Sequence, residues 1–240
     1  MKDIKHFLVQ LRNKRALVVF PHPDDEVFMA GGLIQRLIDL GYKIEVICLT
    51  QGGRGKNHKN GWRRERFKRM RRVEFELAMI ELGVVEYQIW DFVDGGLKNS
   101  GGWKIKLGEV LKRIKPNLVI SYGPGGVTGH PDHIAVGKWL FENLKGTKAV
   151  LLWPCWSGVL RRFMVHPKSM MQKMKPDYGL SLSEDETIKK CRAMSAYESQ
   201  IGNWSRWQWW LMRKWLCRNE LFVQARFEKR YSFKYLRYKL

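Results

Sequence analysis

The sequence predicts a doubly wound, Rossmann-like α/β fold with a mainly parallel sheet, helices on both faces of the sheet and a helical, Trp-rich C-terminal extension. Two observations lead to this prediction. Short runs rich in Val, Ile and Leu alternate with longer segments whose apolar residues recur at helical spacing. The first of these runs, residues 16–20, is apolar throughout, which is typical of a strand that is covered on both faces. We treat the 240 residues as a single domain, because this length suits one α/β core.

Strand and helix patterns follow one another in order. The predicted strands are residues 16–20, 43–50, 84–90, 118–122 and 148–153. The predicted helices are a short leading segment within residues 1–14, then residues 33–40, 62–82, 105–114 and 134–144. Gly41 and Gly83 directly follow helical patterns, as is typical of helix C-termini. In the sheet order 3-2-1-4-5 that such folds adopt, the first and fourth strands are neighbours. Residues 154–180 show no clear pattern.

The C-terminal part divides into the end of the core and an extension. Ser183 and Glu186 match a capping box, which predicts a helix running from there towards Gln200. The core therefore covers about residues 15–200, and the extension about residues 201–240. A basic, Trp-rich stretch opens the extension and is predicted to be helical from Trp204 to Arg218.

One face of that helix is apolar, and its members are Trp204, Trp207, Leu211, Trp215 and Phe222. This stripe predicts packing against the sheet. The alternative is an interfacial helix, because Trp combined with Arg and Lys is typical of membrane surfaces.

The chain is strongly basic, with 44 Lys and Arg against 23 Asp and Glu and a formal net charge of +21. Such a charge attracts nucleic acid, anionic lipid or acidic small molecules, although a solvated basic surface explains it equally well. No nucleic-acid-binding signature is present, so no specific nucleic acid is expected. The four cysteines lack CxxC spacing, and neither a secretory signal nor a membrane span is evident. We predict a cytoplasmic protein, or one that is peripheral at the membrane. The oligomeric state stays open.

Two short segments of the form His-Pro-Asp-x are the strongest candidates for a functional site. His22 and Asp25 stand three apart, as do His130 and His133. If each segment opens a helix, each pair projects from one face of the first turn, where proline is well tolerated. A lone pair of this kind is more often a cap or a surface contact. Here, however, each segment follows a predicted strand, and the two strands are expected to be neighbours.

The carboxyl ends of these strands form the crevice in which doubly wound folds bind ligands. Two imidazoles and one carboxylate would converge there and leave coordination positions open. That ligand count is typical of catalytic zinc sites, and it also suits iron(II).

The chain resembles the PIG-L/LmbE family of metal-dependent N-acetyl-sugar deacetylases. Five sequence pieces carry this resemblance, in the family's order over most of residues 15–200. They are His22-Pro-Asp-Asp-Glu26, Arg71-x-x-Glu74 with Ala78 and Leu82-Gly83, Asp94-Gly-Gly-Leu97, Gly129-His-Pro-Asp-His133, and Ala193 through Tyr197-x-Ser-Gln200.

The resemblance implies a role for each motif residue. The implied zinc ligands are His22, Asp25 and His133. Asp24 is similar to the family's general base, which takes a proton from the attacking water. His130 resembles the residue that stabilises the oxyanion or protonates the leaving amine. Asp132 would orient or charge His130, and Glu26 would be a supporting carboxylate.

Arg71 and Asp94 resemble the family's substrate-contacting positions. Arg71 would bind a phosphate or carboxylate of the aglycone, and Asp94 a sugar hydroxyl. The alternative for Arg71 is an ion pair with Glu74 on a solvated helix face.

The chain also departs from the family in two places. Many relatives carry an acidic residue in the loop where this chain has Gln51-Gly-Gly-Arg54, which indicates a more anion-friendly rim. Thr128 stands where some relatives have a tyrosine that helps to bind the oxyanion.

The sequence therefore predicts a zinc-dependent (or iron-dependent) hydrolase that removes the acetyl group from an N-acetylglucosamine-type sugar. The substrate is expected to be a free glycoconjugate or a lipid-linked sugar, with an anionic or lipid aglycone. The alternatives are a metal-dependent hydrolase of a non-sugar amide and a basic nucleic-acid- or membrane-binding module.

Overall fold

The structure is a computed structural model, which describes residues 1–55, 64–156, 161–162, 165–167, 169–202, 205–215 and 217–233. The described strands form one eight-stranded sheet in the order β1-β7-β8-β6-β5-β2-β3-β4. The strands are β1 (Lys2–Asp3), β2 (Arg15–Phe20), β3 (Lys43–Thr50), β4 (Glu86–Phe92), β5 (Leu118–Ile120), β6 (Val150–Cys155), β7 (Tyr178–Ser181) and β8 (Asn219–Gln224).

The central five strands confirm the predicted topology. They lie side by side as β6-β5-β2-β3-β4 and are all parallel. The chain moves outward from β2 through β3 to β4, then returns to β5 beside β2 and moves the other way to β6. Because crossovers between parallel strands are right-handed, this reversal places the connecting helices on opposite faces. The reversal point lies between β2 and β5, whose Ala16 and Leu118 are paired.

The helices cover the sheet as the apolar periodicity predicts. They are α1 (Ile4–Gln10), α2 (Asp25–Asp39), α3 (Arg64–Leu82), α4 (Gly102–Ile114), α5 (Gly126–Gly129), α6 (Pro131–Leu144), α7 (Glu184–Ser195), α8 (Glu198–Ile201) and α9 (Arg206–Trp215). The capping box at Ser183 is confirmed, because its side chain and that of Glu186 each accept the other's backbone N–H. The predicted continuous helix to Gln200 is interrupted at Ala196, so α7 and α8 are separate.

Two strands near the C-terminus were not predicted. β8 runs antiparallel to both β6 and β7 and thereby joins the C-terminal part to the centre of the sheet. Phe222 is buried in β8, so its assignment to a helical stripe was wrong. Trp207, from the same predicted stripe, is 63% exposed rather than packed on the sheet. The side chains of Trp204, Leu211 and Trp215 lie outside the described residues.

Cys48, Cys155 and Cys217 are buried, and the four cysteines form no disulfide. Among the residues that the structure describes, no helix combines the length and apolarity needed to cross a bilayer.

Candidate active site

The two His-Pro-Asp segments meet at the switch point between β2 and β5. His22 Nδ1 lies 3.1 Å from His133 Nε2, and Asp25 Oδ2 lies 3.4 Å from each of these nitrogens. A tetrahedral ion with bonds of about 2.0–2.1 Å keeps its ligand atoms about 3.3 Å apart. The three atoms therefore have the spacing that one such ion requires.

The two segments do not use identical geometry. In the second segment Pro131 opens α6, as predicted, and His133 lies in the first turn of that helix. In the first segment α2 begins only at Asp25, so His22 reaches the centre from the preceding loop rather than from a helical turn. The chain turns sharply between them at Asp24, which has a φ of 99°.

His22 is held from behind by two carboxylates. Its Nε2 lies 3.0 Å from Asp94 Oδ1 and 3.3 Å from Asp132 Oδ2, so this nitrogen carries a proton and Nδ1 faces the centre. Burial lowers the pKa of His22, but the contacts with Asp132, Asp25 and Asp94 outweigh it and raise the pKa well above the ordinary value. A binding ion would therefore displace a proton from Nδ1.

His133 is fixed in the opposite tautomer. Its Nδ1 lies 3.0 Å from the carbonyl oxygen of Gly126 and donates to it, which leaves Nε2 as the lone-pair nitrogen. The ring stacks on Tyr122 at a centroid distance of 4.0 Å. Burial lowers the pKa of His133 to about 4, so the imidazole is neutral, as a metal ligand must be. Thr128 Oγ1 lies 3.4 Å from Nδ1.

Asp25 is ionised and oriented by two donors. Its Oδ2 accepts the backbone N–H of His22 at 3.1 Å, and its Oδ1 accepts the hydroxyl of Tyr122 at 2.5 Å. Burial raises the pKa of Asp25, but the charges and hydrogen bonds of His133, His22 and Tyr122 lower it well below the usual range. The sequence analysis assigns no role to Tyr122, although this residue stands at the carboxyl end of the fourth predicted strand, where it could have been found.

Asp24 lies beside the centre and is held by Arg71, whose Nη2 donates to Asp24 Oδ2 at 3.0 Å. Burial raises the pKa of Asp24 to about 6, and the Arg71 charge limits that rise. The Arg71 guanidinium is 2% exposed. It also donates to the carbonyl oxygen of Pro23 and lies 3.7 Å from Glu74. The predicted pair with Glu74 is present, but it is buried rather than on a solvated face.

Asp132 and Asp94 have contacts that the sequence did not predict. The Asp132 carboxylate accepts the backbone N–H groups of Gly95 and Leu97 and faces His22, whereas it was expected to act on His130. Asp94 accepts the backbone N–H of Arg54 at 2.7 Å in addition to facing His22. Burial raises the pKa of Asp94, but the His22 contact lowers it to about 2.

His130 lies against both other imidazoles, with ring centroids 4.6 Å from His22 and 4.9 Å from His133. Its Nδ1 accepts the backbone N–H of Asp132 at 3.2 Å, so a neutral His130 carries its proton on Nε2. Burial lowers the pKa of His130, which favours this neutral form.

Within the part of the chain that the structure describes, two other groups could also hold an ion. They are His22 with His130 and His133, and His22 with Asp94 and Asp132, each with ligand atoms within 4.8 Å of one another.

The site opens into a cavity of about 640 Å³. It is lined by all the predicted metal-binding, catalytic and substrate-binding residues except Asp25 and Asp132. Its lining includes His22, Asp24, Arg54, Arg71, Asp94, His130, His133 and Gln200. A smaller cavity of about 210 Å³ adjoins it at Asp24 and His133, and has an apolar wall of Phe28, Met29, Tyr122 and Trp156.

Comparison with known proteins gives matches to deacetylases. A probable N-acetyl-alpha-D-glucosaminyl L-malate deacetylase 2 of Bacillus cereus is 35% identical over 130 residues, covering 52% of this chain and 58% of that relative. The matched part is thus less than two thirds of that relative's length. A diacetylchitobiose deacetylase of Thermococcus kodakarensis is 28% identical over 201 residues, which cover 81% of this chain and 74% of that protein.

The fold is shared with a solved structure, N,N'-diacetylchitobiose deacetylase from Pyrococcus horikoshii. The TM-score is 0.69 at 22% identity, over 92% of this chain and 88% of that one. The family model for PIG-L, described as GlcNAc-PI de-N-acetylase, matches residues 17–143, a stretch that includes both His-Pro-Asp segments. On this match over more than half of its length, the chain belongs to the PIG-L family.

Proposed function

We propose that this protein is a metal-dependent deacetylase that hydrolyses the N-acetyl group of an N-acetylglucosamine-type sugar. The convergence of His22, Asp25 and His133 beside a carboxylate and a second imidazole carries the proposal. Amide hydrolysis at neutral pH needs an activated water, stabilisation of the carbonyl oxygen and a proton for the amine. The names of the relatives support a sugar substrate, since they include N-acetylglucosaminyl malate and diacetylchitobiose.

The proposed metal ligands are His22 Nδ1, Asp25 Oδ2 and His133 Nε2. They are preferred because the three atoms lie 3.1–3.4 Å apart, the spacing that one tetrahedral ion requires, and because the contact of His133 Nδ1 with the Gly126 carbonyl oxygen leaves Nε2 as the lone-pair nitrogen. Two imidazoles and one carboxylate suit zinc and also iron(II). An ion held there supplies a Lewis acid for the carbonyl oxygen and lowers the pKa of a water molecule.

Asp24 is the proposed general base. A carboxylate with a pKa of about 6 is largely ionised at neutral pH and is basic enough to accept a proton from the attacking water. Arg71 keeps it in place through the 3.0 Å hydrogen bond. The buried contacts of Arg71 support this role more directly than the predicted contact with the aglycone.

His130 is the proposed hydrogen-bond donor to the developing oxyanion, because the Asp132 backbone N–H occupies Nδ1 and a neutral His130 carries its proton on Nε2. The proton that Asp24 takes from the attacking water is then the one given to the leaving amine. The Asp132 carboxylate contacts His22 directly. Burial has the larger effect on the pKa of His130 and lowers it, whereas the charge of Asp132 raises it. Asp94 lines the cavity and stays a proposed contact for a sugar hydroxyl.

The rim of the cavity favours an anionic aglycone. The Arg54 guanidinium lies over Gly95, where a Cβ atom would come within 2.7 Å of its Nη1. Arg64 lies nearby, with its Nε 3.4 Å from the Cβ position of Gly53. Arg54 lies in the loop for which the sequence predicts an anion-friendly rim and lines the cavity, and Arg64 adds a second cation at the start of α3. The malate group in the name of the Bacillus relative is of the same chemical class.

A substrate panel tests both the reaction and this preference. The metal-loaded protein is expected to release free amine from N-acetylglucosaminides, and to do so faster when the aglycone carries a carboxylate or phosphate. Arg54→Gln should lower kcat/KM for the anionic substrate about fivefold, since an exposed charge pair is worth up to about 1 kcal/mol. Its kcat/KM for a neutral aglycone should not change.

Arg72→Gln is the matched control, because it removes an exposed arginine from α3 outside the residues that line the cavity. An equal loss in both variants would point to overall surface charge. Release of amine from simple amides but from no N-acetyl sugar would instead favour the non-sugar hydrolase.

A peripheral membrane contact is proposed for α9. Trp207 and Trp210 are 63% and 48% exposed and stack at a centroid distance of 4.8 Å, and Lys214 Nζ lies 4.8 Å from the Trp210 ring. The helix contains three basic residues and no acidic one. Exposed Trp beside Lys and Arg suits an anionic lipid surface, and such a contact would bring a lipid-linked sugar to the enzyme.

The double substitution Trp207→Ala/Trp210→Ala is expected to weaken binding to phosphatidylserine vesicles at least about tenfold, because both rings lose apolar contact with the interface. Vesicle flotation at physiological salt measures this. Ile105→Ala, which removes a 70% exposed apolar residue from α4, is the control. If the wild-type protein does not float with the vesicles, the membrane contact is rejected.

A further inference from the structure

The helix that carries Asp25 is interrupted one turn beyond the candidate site. Ala30 in α2 has a φ of −149° and a ψ of 15°, which lie outside the helical range. In a regular helix the Gly32 N–H would donate to the carbonyl oxygen of Phe28. Instead it donates to Oε1 of Glu220 at 2.7 Å, and the next N–H, that of Leu33, donates to Oε2 at 2.8 Å.

Lys190 occupies the other side of the same interruption. Its Nζ lies 2.6 Å from Glu220 Oε1 and 3.5 Å from the carbonyl oxygen of Phe28. The Lys190–Glu220 pair is therefore inserted into the helix between the groups that the break separates. Both side chains are buried. A buried ion pair alone is weak evidence for stability. Here, however, both oxygens of the Glu220 carboxylate accept helix N–H groups, so the carboxylate must lie on the α2 side of the pair and the lysine on the other side.

The local sequence makes room for this insertion. A Cβ atom on Gly31 would lie 3.3 Å from Lys190 Cγ, and one on Gly32 would lie 2.4 Å from Leu182 Cδ2. The two adjacent glycines therefore allow α7 and the residues before it to approach the helix at the break. A side chain at either position would separate them.

The turn before the break carries Asp25 and Glu26, with Asp24 at its start. In addition to the contacts of Arg71 and Tyr122 described above, the hydroxyl of Tyr197 donates to Glu26 Oε1 in this turn. Lys190, Tyr197 and Glu220 all lie beyond residues 17–143, the part that the family model matches.

We propose that Lys190 and Glu220 are positioning residues, which hold the turn of α2 before Ala30 so that Asp24 and Asp25 face the metal centre. This inference rests on the metal centre proposed above. It predicts that the pair acts on metal binding and on the chemical step, and that its effect depends on which residue of the pair carries which charge.

The experiment compares Glu220→Gln, the charge swap Lys190→Glu/Glu220→Lys and the control Arg36→Met. Arg36 and Glu186 form an ion pair at 2.7 Å that joins the same two helices, α2 and α7, but after the break. Metal-free proteins are titrated with Co²⁺, and the visible absorption spectrum is recorded at saturation. Hydrogen exchange is measured over residues 24–33 without metal.

Glu220→Gln is expected to weaken Co²⁺ binding about 10- to 100-fold, the range found when support of a metal ligand is removed. It should also change the Co²⁺ spectrum, speed exchange over residues 24–33, and lower kcat with little change in KM. The charge swap should not restore these properties, because a lysine at position 220 cannot accept the N–H groups of Gly32 and Leu33. Arg36→Met should match the wild type.

The proposal would be overturned if Glu220→Gln kept the wild-type Co²⁺ affinity and spectrum. It would also be overturned if the charge swap restored them, or if Arg36→Met changed them as much as Glu220→Gln does. If Glu220→Gln does not fold, Lys190→Arg and Lys190→Met replace it, and only the arginine variant should keep wild-type affinity. If the wild-type protein binds no Co²⁺, the metal centre itself is wrong, and unchanged exchange over residues 24–33 would then reject the positioning role separately.

Discussion

Replacing Asp24 with asparagine is expected to lower kcat for deacetylation about 10²- to 10⁴-fold, the contribution of a well-placed general base. Asparagine keeps an acceptor for Arg71 and tolerates the positive φ of 99° at this position, so the backbone of the turn should persist. The amide cannot take a proton from water. The measurements are kcat from amine release and metal content of the purified variant, which should stay at the wild-type value because Asp24 is not a proposed ligand.

Asp91→Asn is the control for the loss of one carboxylate. Asp91 is 61% exposed, pairs with Lys68 at 2.7 Å and lies outside the residues that line the cavity. If Asp24→Asn keeps kcat within a few-fold of the wild type, the base must be a different group. If it instead loses its metal, Asp24 acts on ion binding and the assignment of its role is wrong.

The sequence alone was enough to predict where the site lies. Apolar runs predicted β2, β3, β5 and β6 because nearly all residues of these strands are buried, whereas β4 lies at the edge of the sheet and is mostly half-buried or exposed. The order of strands and helices then placed β2 beside β5. His22, Asp25, His130 and His133 were found because each follows a strand that ends at this switch point. That the two segments meet could be predicted because the relevant information is local to each strand and the following turn, whereas the roles of these residues stay predictions.

Partners that come from distant segments could not be predicted in the same way. The hydroxyl of Tyr122 contacts Asp25, and the carboxylates of Asp94 and Asp132 contact His22, from segments that are 72 to 110 residues away in the sequence. Asp132 was expected to act on its neighbour His130. The loop at Gly95 instead donates two backbone N–H groups to Asp132, which turns the carboxylate towards His22.

The C-terminal part shows a second limit of prediction. β8 is short, and it pairs with β6 although more than sixty residues separate the two strands in the sequence. No local sequence pattern indicates such a pairing. A helical stripe was drawn through Phe222 because aromatic spacing alone does not distinguish a helix from a following strand. The same error concealed Glu220, whose carboxylate reaches back to α2. The antiparallel pairing of β8 with β6 and β7 therefore brings the Glu220 carboxylate to α2, whereas the composition of this segment suggests only a basic tail.

Replacing His133 with alanine is expected to abolish metal binding and, with it, activity. His133 Nε2 is one of the three converging atoms, at 3.1 Å and 3.4 Å from the other two. Loss of a supporting residue lowers metal affinity about 10- to 100-fold, so loss of a direct ligand should cost more. Metal content after dialysis measures this. A second measurement is thermal unfolding, because an ion at about 100 times its Kd stabilises the native state by about 2.7 kcal/mol.

Added Zn²⁺ should therefore raise the melting temperature of the wild-type protein but not that of His133→Ala. His6→Ala, which removes an exposed histidine from α1, should behave as the wild type. Metal retained at the wild-type level in His133→Ala would contradict the assigned ligand set. It would also exclude the group of three histidines and leave the group formed by His22, Asp94 and Asp132, in which His22 would bind through Nε2. Comparing Asp25→Asn with Asp94→Asn would then decide which nitrogen of His22 binds the ion. Asp25 shares the ion with His22 if Nδ1 is the ligand, and Asp94 shares it if Nε2 is the ligand.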